Sequence, residues 1–280
     1  MKLLKRSVNL LYTILDTVIS ILELLIRGRL LEKIKRESET IIVAGNGPSL
    51  LENLEIAKKT IKDFKLAASN FYLLDSRLYN PDYYYLLDDR YFQNKSNLSL
   101  GSVSQEKKLL IRIELLYDCI NNHPKEMTLF VPKNKFKIVE NIITNPLIKI
   151  KKININTFNS SASIRHFIYN RQLGLPKSQT VIIVALFYSL HISKKIYLAG
   201  CDSSWIENLS VNKNNEVISI LKHNDGKDLI IKYESMVIML ETQLNVFKSY
   251  QNINLWAKKI GAEITNLSSN SYIDVFNKNI

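Results

Sequence analysis

From Thr40 to Leu267, short apolar runs of strand type alternate with stretches of helical periodicity, and no other feature of the chain restricts its fold so strongly. TIIVAG (Thr40 to Gly45) predicts a buried strand, SLLENLEIAKKTI a helix, and FKLAASN (Phe64 to Asn70) a second strand. DYYYLLDD (Asp82 to Asp89) predicts a third, followed by a helix near Lys107 to Asn121 and a strand at MTLFVP (Met127 to Pro132). A helix near Lys135 to Ile143 leads to a strand at Leu147 to Ile155, and the apolar helix Thr180 to His191 feeds the strand KKIYLAG, Lys194 to Gly200. Two further helices, near Asp228 to Tyr250 and Ile253 to Ile260, precede AEITNL. This alternation implies an α/β fold: a Rossmann-like, mostly parallel sheet with helices on both faces. With 280 residues and 46% apolar content the chain can bury one large core, expected over residues 39–280.

Residues 1–38 differ in pattern. From Leu3 to Leu31 the chain is mostly Leu, Ile and Val, while Asn9, Asp16 and Glu23 recur every seventh position and draw a polar stripe with Thr13 and Ser20. Two acids inside the run disfavour a spanning helix, and no small-residue cleavage site follows it. Lys2, Lys5 and Arg6 at one end and Arg27, Arg29, Lys33, Lys35 and Arg36 at the other suit an amphipathic helix on an anionic membrane surface. A helix docked on the protein's own core or on a second subunit is the alternative. The net charge of +12 fits an anionic partner; no RRM, helix-turn-helix or zinc pattern is present, so nucleic acid is not expected. Cys119 and Cys201 form no paired framework, which points to thiols in a reducing, cytoplasmic setting.

In parallel α/β sheets ligands sit beyond the carboxyl ends of strands. Gly45, Asn46, Gly47 and Pro48 occupy such an end, and Ser49 with Glu52 reads as a capping box opening the next helix. The turn is expected to bring backbone N–H groups and a helix amino terminus to a phosphate or ribose, with Asn46 adding a two-way hydrogen-bonding group. It is neither GxGxxG nor a Walker loop. A second strand end, at Gly200, Cys201 and Asp202 in KKIYLAGCDSSW, offers a carboxylate for ribose or sugar hydroxyls, with Gly200 leaving room for a ring. Asp202 as a helix cap or turn residue is the structural alternative.

IIVAGNGPSL, ASNFYLL, KKIYLAGCD and HNDGKD together resemble the bacterial sialyltransferases of glycosyltransferase family 42, over roughly Thr40 to Tyr250. Similar G-x-GPSL starts occur in flagellin-glycosylation accessory proteins and pterin pyrophosphokinase-like proteins. The resemblance implies a GT-A-variant-like fold and an inverting transfer of sialic acid or a related nonulosonic acid from a CMP-sugar to a glycan or glycolipid acceptor. Carried across, it implies donor binding by Gly45, Asn46, Gly47, Ser49, Asn70, Gly200, Cys201 and Asp202. Counting back from Gly200, Lys177 stands for the family's arginine, Gln179 and Thr180 for its two hydroxyl residues, and Val181 for its glycine. Asp88, Ser204 and Trp205 become candidate donor or acceptor contacts. The family's leaving-group tyrosines are missing: Ser204 takes the first position, and no tyrosine follows before Tyr233.

The resemblance also places a general base in an H-to-D segment before a helix, matched here by His223 in HNDGKD, and a histidine titrating near neutrality suits proton removal from a sugar hydroxyl. No DxD motif exists, and Asp88 and Asp89, adjacent on an expected strand, would point to opposite faces, so no metal or other cofactor is expected. Residues 203–227 are expected to form a lid over the donor. The predicted location is the cytoplasmic face of the inner membrane, with a homo-oligomer allowed. Outside the sialyltransferase reading stand a pyrophosphokinase-like or flagellin-glycosylation-type protein of the same superfamily and a non-catalytic nucleotide-binding partner.

Overall fold

The computed structural model describes residues 14–15, 17–19, 21–22, 31–38, 40–92, 103–223 and 229–278. Its centre is a seven-stranded sheet of β1 (Thr40–Ala44), β2 (Lys65–Ser69), β3 (Tyr83–Tyr85), β4 (Met127–Pro132), β5 (Ile148–Ile153), β6 (Lys195–Ala199) and β10 (Glu263–Asn266). The strand order is β10-β6-β1-β2-β3-β4-β5, and every neighbouring pair is parallel. The expected α/β architecture is therefore present.

The continuous apolar strands follow from burial on both faces. Alternate residues feed two cores: Ile41, Val43, Tyr83, Tyr85 and Phe130 point one way, and Ile42, Ala44, Tyr84, Leu86 and Leu129 the other. The first core is closed by α5 (Ala162–Asn170), α6 (Val181–Ile192) and α7 (Met236–Lys259), the second by α2 (Leu50–Thr60), α3 (Val103–Asn121) and α4 (Phe136–Ile142). Trp256 anchors the first layer, stacked on Phe187 and edge-on to Tyr169, with its indole N–H donating to Asn170 Oδ1 at 2.8 Å.

The structure corrects several boundaries. α7 is one helix of 24 residues across Tyr250 and Ile253, and Leu229–Tyr233 is a strand, β9, where a helix start was expected. A five-residue apolar run carries no periodicity that separates the two states. β9 pairs antiparallel with β8 (Val217–Leu221), which pairs with β7 (Leu209–Val211), so the span expected as a lid carries regular structure in a second, small sheet. β3 ends at Tyr85, and Asp89 opens a 3-10 turn instead of extending the strand.

Residues 14–15, 17–19 and 21–22 are helical, and α1 denotes these described residues. The polar stripe of Asn9, Thr13, Asp16, Ser20 and Glu23, and the cations Lys2, Lys5, Arg6, Arg27 and Arg29, lie outside the described residues. Residues 31–38 carry no regular secondary structure, and the backbone N–H groups of Glu37 and Ser38 donate to the Ile192 carbonyl at the end of α6. Ile34 is buried, and the Gln172 amide clamps its backbone at both ends, accepting from the Ile34 N–H and donating to its carbonyl at 2.9 Å each. No helix among the described residues is long and apolar enough to cross a membrane.

Candidate functional site

Because β10, β6 and β1 are adjacent and parallel, their carboxyl ends emerge side by side. Asp202, 7% exposed, reaches from the end of β6 to the amino terminus of α2. There its Oδ2 accepts the Ser49 backbone N–H at 3.2 Å and its Oδ1 lies 2.6 Å from the Ser49 hydroxyl. That hydroxyl also lies 3.0 Å from Asn53 Oδ1, but it has one proton, and the shorter charge-assisted bond takes it. Asn53 Oδ1 is served instead by the Ser268 hydroxyl at 2.7 Å and the Gly200 N–H at 3.0 Å. Ser268 Oγ in turn accepts the Cys201 N–H at 3.2 Å, and the Ser271 hydroxyl donates to the Cys201 carbonyl at 2.6 Å. Three strand ends and one helix start are thereby tied into a single buried polar network.

The glycines serve this closure. A Cβ on Gly45 would lie 2.3 Å from the Gly200 carbonyl oxygen, one on Gly47 2.0 Å from Asp202 Oδ2, and one on Gly200 2.7 Å from Leu50 Cβ. Gly200 also has φ +64. The room expected beside Gly200 for a ligand ring is filled by Leu50.

Two expectations for the turn are likewise corrected. Ser49 makes no side-chain cap bond within α2, so the Ser49–Glu52 capping box does not form; the Ser49 hydroxyl turns to the stronger acceptor, Asp202. Four of the N–H groups expected to cradle a phosphate already donate inside the protein: Gly45 to the Ala199 carbonyl, Gly47 to the Gly200 carbonyl, Leu50 to the Gly47 carbonyl and Ser49 to Asp202. A carboxylate at the α2 amino terminus answers the helix dipole and repels an incoming phosphate. Asp202 thus fills the capping role weighed as its structural alternative.

Other groups at this edge remain open. Asn46 is half-buried, and its side chain makes no hydrogen bond among the described residues. Asn70 ends β2 and Ser203 follows β6, both with left-handed backbone (φ 57 and 51), a conformation that non-glycine residues rarely hold without a local reason. Thr180 precedes α6 as its N-cap without a side-chain cap bond, and its buried hydroxyl has no partner in hydrogen-bonding geometry among the described residues. Beside it, and beside Ser203 and Cys201, lies the hydroxyl of Tyr250 from α7, whose ionisation burial pushes far up. Lys177 and Gln179, just ahead of Thr180, are exposed, and the Lys177 carbonyl accepts from the Ser249 hydroxyl at 2.9 Å.

Ser204 and Trp205 form the next turn; Trp205 packs on the first core and its carbonyl accepts from Ser219 of β8 at 2.7 Å, joining the small sheet to this edge. His223 stands just past β8, half-buried, and 224–228 of HNDGKD lie outside the described residues. Asp88 pairs with Arg90 and Asp89 with Lys135 at 3.0 Å, so both carboxylates are engaged in ion pairs after β3. Among the described residues no group of three His, Cys, Asp or Glu side chains converges as a metal-ligand set. Burial pushes the Cys201 thiol up to about 12, so it remains protonated and is no nucleophile at neutral pH. A cavity of about 300 Å³ lies under the 72–80 loop, where Tyr79 bonds Glu55 of α2, and is separate from the strand-end network.

Sequence reasoning missed Asn53, Ser268, Ser271 and Tyr250. Ser268 was within reach: AEITNL reads as a strand, and the strand-end rule extends to the serines that follow it.

No family model matches the chain, and no curated protein matches it. Among solved structures the chain is similar to the apo form of an alpha-2,3-sialyltransferase from Campylobacter jejuni, at 15% identity over 89% of this chain and 84% of that one, with a TM-score of 0.40.

Proposed function

We propose that the chain is an inverting, metal-independent glycosyltransferase that moves sialic acid or a related nonulosonic acid from a CMP-sugar to a glycan hydroxyl, working as a peripheral protein at the cytoplasmic face of the inner membrane. The observation carrying this reading is the convergence at one sheet edge of the β1 and β6 ends, with left-handed Ser203 and the free amide of Asn46, and the α6 amino terminus at Thr180. Since Asp202 closes α2, the donor phosphate is assigned to α6 instead. The α6 dipole, the Thr180 hydroxyl and Lys177 meet its charge there, and Asn46 reads the nucleoside. Tyr250 brings a phenol beside Thr180 and Ser203, near the segment where this chain lacks the family's tyrosines, and it is assigned as a hydrogen-bond donor to the departing phosphate.

His223 is assigned the proton of the acceptor hydroxyl. Transfer of sialic acid from a CMP-sialic acid donor to a lipooligosaccharide acceptor, read as CMP released, should fall about 10²-fold or more in His223→Ala, with CMP affinity unchanged. Equal loss of affinity and turnover would remove His223 from that role. The internally satisfied β1–α2 turn favours a second reading, a protein that keeps this fold without catalysis; for it, His223→Ala changes nothing.

A further inference from the structure

α1 exposes its apolar side. Ile14, Leu15, Val18, Ile19, Ile21 and Leu22 are each between 41% and 55% exposed. At the helical turn per residue they fall in one arc of roughly 160°. Thr17 lies outside that arc, and its hydroxyl bonds Ser160 at 2.8 Å, so the helix is held to the body by its polar side and faces solvent with its apolar one.

Ser160 leads into α5, which continues the pattern. Arg165, His166, Ile168 and Tyr169 are buried, whereas Ile164 and Phe167, three residues apart on the outer face, are 42% and 51% exposed. Arg171 extends this face, its guanidinium 3.6 Å from the centre of the Phe167 ring. Arg171, Lys33 and Lys152 also line one shallow cleft, together with Glu32.

We infer that α1 and the outer face of α5 form one docking surface for an anionic bilayer, with Ile164 and Phe167 entering the interface beside α1 and Lys33, Lys152 and Arg171 meeting lipid headgroups. This rests on the membrane-peripheral location proposed above and adds the second element that orients the protein. Charge decides the occupant: a chain of net charge +12 that buried this face on a second copy would set Lys33, Lys152 and Arg171 near their own duplicates, whereas an anionic surface complements them. The surface also serves the proposed reaction. β5, whose carboxyl end supplies Lys152 to the cleft, lies four strand spacings from β1, about 19 Å along the same sheet edge. A lipid-borne acceptor would therefore reach the candidate site without leaving the bilayer.

Flotation of the full chain with phosphatidylcholine vesicles, with and without phosphatidylglycerol, tests this. Binding is expected only to the anionic vesicles and should weaken with salt. The double variant Ile164→Ser/Phe167→Ser, altered only at exposed positions, should keep its circular dichroism and CMP binding while its vesicle affinity falls about 10-fold or more. Wild-type protein that floats with neither vesicle overturns the membrane location itself. Undiminished binding of the double variant removes α5 from the surface while leaving α1 in place. Light scattering that shows a dimer abolished by the same two substitutions assigns the face to a second copy and overturns the inference.

Discussion

Gly45→Ala is expected to lower the unfolding free energy by about 3 kcal/mol. The new methyl would meet the Gly200 carbonyl oxygen at 2.3 Å, and that oxygen is backbone, held by the Gly47 N–H it accepts. Neither partner can rotate away, so relief requires β1 and β6 to separate at their carboxyl ends. That separation would break the bonds from Ser49 to Asp202 and from Gly200 to Asn53. Gly261→Ala supplies the control: it also has positive φ (65), yet the nearest atom to its new methyl would be the flexible Lys194 Nζ at 3.7 Å, so only the left-handed penalty of about 1 kcal/mol applies. Urea unfolding followed by circular dichroism reads both. A Gly45→Ala midpoint no lower than that of Gly261→Ala would contradict the tight closure of the two strand ends.

The second large effect is acid lability centred on His191. The His191 ring, in the last turn of α6, is packed among Phe187, Tyr188 and Trp256, with Nε2 buried and without a partner among the described residues. Burial pushes its pKa down to about 3, assisted by Lys33 and opposed by a hydrogen bond with the Tyr169 backbone. A folded-state value below the unfolded one near 6.5 means that the unfolded chain takes the proton first. Stability is therefore complete above pH 6.5 and declines as pH falls from 6.5 towards 3. The full gap corresponds to an upper bound of about 5 kcal/mol, reduced by whatever water reaches the ring edge. His166, lowered by burial, Lys259 and Arg165, acts in the same direction. His191→Phe, which keeps an aromatic ring but cannot protonate, should flatten most of the decline in a pH series of thermal unfolding. An unchanged slope would place the acid sensitivity elsewhere.

The parallel sheet was legible because its strands are short, apolar and regularly interrupted, as in TIIVAG and KKIYLAG. The small sheet was not: Leu209–Val211 is three residues long and partly exposed, and the Asn- and Lys-rich segment around it reads as loop. At the β1–α2 turn the glycines serve the packing of neighbouring strand ends, where the sequence reading gave them to a phosphate. Glycines that permit a phosphate to approach and glycines that permit a neighbouring strand to approach look alike until the neighbour is placed, and here Gly200 and Asp202 fill the space. Asn53 and Tyr250 acquire their roles only through helix packing, on α2 and α7, which no local pattern announces. The pairing of the AGNGPS and AGCD strand ends, in contrast, followed from topology alone and is present.

The central claim, that this sheet edge holds a cytidine monophosphate ester without a divalent ion, is tested most directly by calorimetric titration of the full chain with CMP, UMP, GMP and ATP in magnesium and in EDTA. The account predicts CMP binding of equal strength in both buffers, preferred over the other nucleotides, and about 10-fold weaker in Thr180→Val, which removes one hydroxyl from the α6 amino terminus. Absence of CMP binding, or ATP binding that requires magnesium, would contradict it.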